Sequence, residues 1–189
     1  MALPRFERLE TPRLVLRRLR ADDLDALVAY RNDPEVARYQ SWSDYDAQRG
    51  RQLIEMMQGR QPGEVGWFQF AIALKDTDAL VGDCALRVDE YDTRLGEIGF
   101  TLSRKHQGQG LGTEAVRALL GYVFDTLHLH RVMGVTDAKN TSAARVLERV
   151  GMRREAHFIE NTFFKGAWGD EFQYAMLARE WASSAQSET

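Results

Sequence analysis

Residues 106–115 read HQGQGLGTEA, with glycine at the alternate positions 108, 110 and 112 and an amphipathic run directly behind. Glycine is poor helix chemistry, so three of them where a helix starts need a reason. One glycine is enough to turn a chain from strand to helix. Three in alternation strip the side chains from a short loop and bare successive backbone N–H groups. The helix behind them adds its unpaired N-terminal donors and the positive end of its dipole. Together these suit a phosphate, and Arg104, Lys105 and His106 just ahead add positive charge. The dinucleotide pattern G-x-G-x-x-G does not fit, because Thr113 stands at its third glycine, and no G-K-[ST] follows to make a P-loop.

Working outward, Val116, Leu119, Leu120, Val123, Phe124 and Leu127 recur at the spacing of a core-facing helix. Strand patterns precede it at WFQFAIAL (67–74), ALVGDCALRV (79–88) and LGEIGFTLS (95–103), and RVMGVTD (131–137) follows. Strand, helix and strand in that order predict a crossover between parallel neighbours. Nearer the start, RLVLRRL (13–19) alternates as a half-buried strand, and Asp22 or Asp23 is placed to cap a helix over DLDALVAYRN, broken at Asp33-Pro34. A second helix is expected near 46–58, then a loop over 58–66. Beyond the crossover, SAARVLERV reads as a short helix stopped by Gly151. MRREAHFIENTF and DEFQYAML then read as an antiparallel pair around KGAWG. The tail ASSAQSET (182–189) is expected to fray. The fold class is therefore mixed α/β: an antiparallel meander, one crossover and a final hairpin.

The composition narrows the setting. The length of 189 residues suits one domain, and 44% hydrophobic with 28% charged residues reads as globular. A net charge of −3 gives no field for nucleic acid. The single cysteine, Cys84, lies among strand residues, reads as a small core side chain and fits a reducing compartment. The start MALPRFERLE has no apolar signal region, and no apolar run reaches bilayer length, so a cytoplasmic protein with no membrane partner is expected. His128, His130 and His157 show no metal-ligand spacing, and no metal is expected.

The pattern Q-x-x-G-x-G, here Gln107, Gly110 and Gly112, resembles the acetyl-CoA pyrophosphate loop of the GNAT N-acetyltransferases. EIGFTLS resembles the fourth strand of that family. NTSAARVLERVGM, from Asn140, resembles the segment after its fifth strand. The opening TPRLVLRRLRADDLDALVAYRNDPEVARY and the ending KGAWGDEFQYAMLAREW are similar to the RimJ/RimL-type branch, and the likeness runs over residues 8–181. It implies a GNAT fold: a mostly antiparallel central sheet flanked by helices, with a parallel, splayed pair of fourth and fifth strands. It also implies that the main chain of Phe100, Thr101 and Leu102 pairs with the pantetheine arm. Gln107 and the amides of Gly108, Gln109, Gly110, Leu111, Gly112 and Thr113 would hold the pyrophosphate. Asn140 would contact pantetheine, a role compatible with capping the helix that it starts.

The reaction implied is direct attack of a primary amine on the thioester of acetyl-CoA. Glu97 is the candidate base: in EIGFTLS, alternation puts Ile98, Phe100 and Leu102 on a core face and Glu97, Gly99, Thr101 and Ser103 on a face open to substrate. A structural ion pair is the competing reading for Glu97. Ser142 is the candidate proton donor, with helix capping as its alternative. Relatives place a glutamate, a serine and a tyrosine where this chain has Val135, Ala143 and Leu147. Tyr39, Trp42, Tyr45, Trp67 and Trp168 are candidates to line an amine pocket. The acceptor would be a protein N-terminus or a small-molecule amine, and the enzyme a monomer or homodimer. A catalytically silent acyl-CoA-binding module is the alternative.

Overall fold

The computed structural model describes residues 5–186. In chain order the elements are β1 (Arg8–Glu10), β2 (Leu14–Arg18), α1 (Leu24–Arg31), α2 (Pro34–Ala37), α3 (Ala47–Gln58), β3 (Gly66–Leu74), β4 (Leu80–Val88), β5 (Leu95–Leu102), α4 (Leu111–Gly121), β6 (Arg131–Asp137), α5 (Thr141–Arg149), β7 (Arg153–Phe164), β8 (Ala167–Leu177) and α6 (Ala178–Gln186). The strands form one eight-stranded sheet in the order β1-β2-β3-β4-β5-β6-β8-β7. Every neighbouring pair is antiparallel except β5 and β6.

That parallel pair decides where the site lies. It is in register only at Leu95↔Arg131, Gly96↔Val132 and Glu97↔Met133. Beyond these positions β5 stays with β4 as far as Gly82↔Leu102, while β6 stays with β8 as far as Asp137↔Glu171. A wedge therefore opens inside the sheet, and among the described residues no strand pairs with the edge of β5 from Ile98 to Leu102. The expected splay between the family's fourth and fifth strands is this divergence of β5 and β6.

The crossover helix carries the expected stripe. Ala115, Val116, Leu119, Leu120 and, in the π-helical turn after α4, Val123 are fully buried. Leu14, Leu16, Phe70 and Ile72, also fully buried, belong to the same core. Each of these side chains larger than alanine contributes roughly 1.5–3 kcal/mol by leaving water. Cys84 is fully buried too, and burial pushes its thiol well up, as suits a core residue.

Several local expectations change. The strand β1 lies ahead of the first expected strand. Asp23 does not cap α1; its carboxylate accepts from the Arg20 amide at 2.7 Å and pairs with the buried Arg17 at 2.8 Å. The break at Asp33-Pro34 starts the short α2, with Asp33 accepting from the Glu35 amide at 2.9 Å. Residues 182–186, expected to fray, continue α6, while 187–189 lie outside the described residues. Trp181 anchors that helix by stacking on Phe124, with centroids 6.1 Å apart, and by donating to Asp125 at 3.1 Å. The closing hairpin turns at Lys165 and Gly166, with φ +47° and +85°, the signature of a two-residue primed turn. Among the described residues no helix is long and apolar enough to cross a membrane.

Candidate active site

The three glycines serve different ends. Gly108 and Gly110 have φ of +74° and +79°, a left-handed backbone that side chains resist. Gly110 is the N-cap of α4 and offers no side-chain cap to its free amides. Gly112 is already helical; a Cβ there would sit 3.3 Å from Leu102 Cδ1, on the floor between α4 and β5. The loop is pinned from several sides. Gln107 Nε2 donates to the Leu102 carbonyl at 3.0 Å, Gln109 Nε2 to the Lys105 carbonyl at 2.9 Å, and Arg13 Nη1 to the Gln109 carbonyl at 2.9 Å. Glu114, in the first turn of α4, accepts from the Thr11 hydroxyl at 2.6 Å and pairs with Arg13 at 2.7 Å. Burial alone would raise the Glu114 carboxyl, but the bonds from Thr11 and Arg13 prevail and hold it below the ordinary range.

A cavity of about 510 Å³ runs along this loop, the end of β5 and the start of α5. Phe100, Thr101, Leu102, Gln107, Gly108, Gly110, Gly112, Thr113, Asn140 and Ser142 line it, so most of the expected cofactor residues come together. Gln109 and Leu111 are not among the lining residues. The Gln109 side-chain amide is committed to the Lys105 carbonyl, and the Leu111 side chain is 4% exposed, in the core, which leaves only their main-chain amides to face the loop. Positive charge comes from Arg38, Arg104, Lys139, Arg145 and Arg149, against the single carboxylate of Glu35. Of the three basic residues ahead of the loop, only Arg104 lines the cavity. His106 sits 2.6 Å from the Ser103 hydroxyl, and burial, with Lys105 beside it, lowers its pKa. Sequence patterning alone assigns Arg145 and Arg149 no role, although their i, i+4 spacing puts them on one face of α5.

A second cavity of about 180 Å³ occupies the wedge between β5 and β6. Tyr39, Gln40, Phe100, Asn140 and Ala143 line both cavities, so the two meet there. Asn140 caps α5, its Oδ1 accepting from the Ala143 amide at 3.2 Å. Ser142 lines only the larger cavity; at the junction the chain presents the methyl of Ala143. Val135 and Leu147 line the smaller cavity and bring no acid or base to it.

The face assignment on β5 needs correction. Ile98 is buried as expected, but Phe100 and Leu102 are half-buried and line the larger cavity, while Thr101 and Ser103 are 6% and 7% exposed. The parting of β6 uncovers the side of β5 that alternation assigned to the core. Glu97 lines neither cavity; its carboxylate pairs with Arg87 at 2.7 Å. Of the five aromatic candidates, Tyr39 alone lines these two cavities. Trp67 lies under Arg87, and Trp168 packs edge-on against Phe163.

Trp42 and Tyr45 act from behind. Arg31 lies over both rings, 4.3 Å and 4.9 Å from their centroids, and pairs with Asp83 at 2.9 Å. Asp83 is 1% exposed and also accepts from Tyr30 and Gln69. Burial alone would lower the Arg31 pKa; the Asp83 carboxylate raises it instead. The Trp42 indole returns to the Arg31 carbonyl at 3.0 Å. The segment from α2 to Trp42 is held at its other side by Lys165, whose ammonium donates to the carbonyls of Ala37 and Trp42, and by Tyr39, whose hydroxyl donates to the Lys139 carbonyl at 3.3 Å. This strap carries Tyr39 and Gln40 over the junction.

The open strand edge, the bare amides and the ring of cations fit an acyl-CoA: amides for pantetheine, and N–H groups and positive charge for phosphates. Known proteins agree. A family model described as "Acetyltransferase (GNAT) domain" matches residues 13–153. The uncharacterized N-acetyltransferase p20 of Bacillus licheniformis is 32% identical over 179 residues, 94% of this chain and 99% of that protein. The [ribosomal protein uS5]-alanine N-acetyltransferase of Escherichia coli is 30% identical over 84 residues, 44% of this chain and 43% of that one. A GNAT-family acetyltransferase structure from Bacillus anthracis superposes with a TM-score of 0.82 at 28% identity, covering 91% of this chain and 99% of the other. With this fold, this cleft and these relatives, the chain belongs to the GNAT acetyltransferases, has RimJ-type relatives, and is an acetyl-CoA-dependent N-acetyltransferase.

Proposed function

We propose that acetyl-CoA lies along the larger cavity, and that a primary amine enters the smaller one and attacks the thioester directly where the two meet. The observation that carries this reading is the shared wall of Tyr39, Gln40, Phe100, Asn140 and Ala143, which joins a basic cleft to a gap inside the sheet that no basic residue among the described residues lines. The amides from Gly108 to Thr113 hold the pyrophosphate, with Gln107 fixing the loop to β5. Phe100, Thr101 and Leu102 offer main-chain groups to pantetheine. Asn140 holds the start of α5 against it.

The amine nitrogen forms a bond to the acetyl carbon, the carbon–sulfur bond breaks, and the thiolate takes a proton. Glu97 receives the proton lost by the amine through water. It shares a face of β5 with Gly99, which lines the smaller cavity, and two residues of strand span roughly 7 Å. Water also reprotonates the thiolate, since Ser142 lines only the larger cavity and is not part of the junction where the sulfur lies. The substrate remains a protein N-terminus, as the name of the E. coli relative suggests, or a small amine, and the reaction is assigned to the cytoplasm.

Thiol release from acetyl-CoA, measured against peptides with free N-termini and small amines, tests the reading. Transfer to at least one class is expected. Acetyl-CoA that raises the melting temperature while no amine is consumed would instead favour the silent binding module. Glu97→Gln should lower kcat and leave that thermal shift in place; an unchanged kcat removes Glu97 from the mechanism.

A further inference from the structure

The smaller cavity holds two carboxylates and no balancing charge. Asp137 and Glu171 stand directly opposite each other across β6 and β8, and both line the cavity. No Lys, Arg or His among the described residues lines it with them. Like charges facing each other across a strand pair destabilise a sheet. Neither carboxylate has an ion-pair partner among the described residues. Asp137 Oδ1 accepts from the Lys139 amide at 2.7 Å, and Glu171 Oε2 from Asn161 Nδ2 at 2.6 Å. The second oxygen of each has no hydrogen-bond partner among the described residues. The nearby basic residues face elsewhere: Lys165 donates to the strap carbonyls, Lys139 lines the larger cavity and acts on Asp170, and His157 lies 3.3 Å from Asp170.

The rest of the wall suits the same ligand. Three aromatic residues line the cavity; Tyr39 and Phe164 already lie under Arg38 and Lys165, each 5.3 Å from the ring centroid, whereas the Phe100 ring carries no such cation among the described residues and is left to attract an alkylammonium group. Position then says which charge is held. Asp137 and Glu171 line the smaller cavity but not the larger, whereas the thioester would lie at the shared wall of Phe100, Asn140 and Ala143. The attacking amine must be neutral, so it gains nothing from a carboxylate pair placed away from the junction.

We infer that the acceptor is a small diamine. One ammonium sits between Asp137 and Glu171, and the other nitrogen reaches the junction as the nucleophile. This rests on the acetyl-transfer reading for its chemistry, but the binding of the second charge stands separately. It selects a small dicationic amine over a simple alkylamine.

The test compares putrescine, butylamine of the same carbon length and gamma-aminobutyrate as acceptors. Putrescine should exceed butylamine by about tenfold or more in kcat/KM, the worth of a hydrogen-bonded charge, with gamma-aminobutyrate poorest. Glu171→Gln and Asp137→Asn, which keep shape and hydrogen bonding, should each pull the putrescine-to-butylamine ratio toward one. A ratio near one in the native enzyme, or a ratio unmoved by both variants, overturns the inference. Thermal melting with coenzyme A present supplies the second readout: putrescine should raise the melting temperature of the native enzyme and raise that of Glu171→Gln less. Stabilisation by putrescine without acetylation would uphold the site and overturn the transfer reading. Acetylation of butylamine with no preference for putrescine would do the reverse.

Discussion

The two cavities are made by different means, and the difference separates what is general in this enzyme from what is particular. The larger one is built mainly of backbone. Its decisive parts are left-handed glycines, free helix amides and an unpaired strand edge, all within one strand–loop–helix unit and the start of α5. Side chains there add diffuse positive charge. The smaller one is built of side chains drawn from distant parts of the chain: the strap after α2, the middle of β5, the end of β6 and the closing hairpin. Backbone donors recognise a phosphate whatever it is attached to, whereas a pocket of side chains recognises one acceptor.

That contrast can be broken from either side. The largest effect is expected at Arg31. Arg31→Met leaves Asp83 buried without its cation and should cost about 3–5 kcal/mol of stability. Because Arg31 also seats Trp42 and Tyr45 behind the strap, the variant, assayed where it is still folded, should raise KM for the amine more than for acetyl-CoA. Equal changes in both would show that the strap does not belong to the acceptor side alone.

Gly110 comes next. A valine at φ +79° is strained by about 1–3 kcal/mol, and a Cβ there approaches Arg13 to 3.4 Å. Gly110→Val should weaken acetyl-CoA roughly a hundredfold, about 2.7 kcal/mol, and abolish its thermal shift. Gly108→Ala, with no neighbour within 4 Å of the added carbon, should lose less. Undiminished affinity in Gly110→Val would show that the amides do not form the donor cradle.

Ala143 lies where the cavities meet, and Ala143→Ser should place a hydroxyl at the leaving sulfur. An increase in kcat of about two- to tenfold is expected, below the usual range for general acids because a thiolate leaves easily. A kcat that does not rise would mean that proton delivery is already fast.

The smallest effect concerns Glu114. Its folded carboxyl is held below the unfolded range near 4.3. The resulting stabilisation is complete above that value and fades as pH falls through the lowered folded value. Native protein and Glu114→Gln should therefore differ in melting temperature at neutral pH and converge as pH falls through the lowered folded value. A gap that persists unchanged in acid would show that the Thr11 and Arg13 bonds to Glu114 do not depend on its charge.

Legibility in the sequence follows the same division. HQGQGLGTEA is readable because its chemistry is local: φ > 0, absent side chains and helix amides are properties of neighbouring residues. Asn140 is readable for the same reason, as a cap three residues ahead of the amide that it holds. The lining of the smaller cavity was not readable. Asp137 and Glu171 are far apart in the chain and meet only because β6 takes β8 as its antiparallel partner. Glu97 illustrates the limit from the other side. Period-two alternation put it opposite Ile98, but could not show that Arg87 would stand beside it, or that the parting of β6 would uncover Phe100 and Leu102.

The sequence by itself determined the strand–loop–helix unit, the crossover and the bare glycine loop at the start of α4, because hydrophobic period and glycine placement act over a few residues. It also determined that the junction would lack a serine, since Ala143 occupies that place. Only the tertiary structure decided where β5 and β6 part, which residues roof the gap and which charges face each other inside it. Those outcomes depend on strand order and register, which bring together residues that have no local reason to meet.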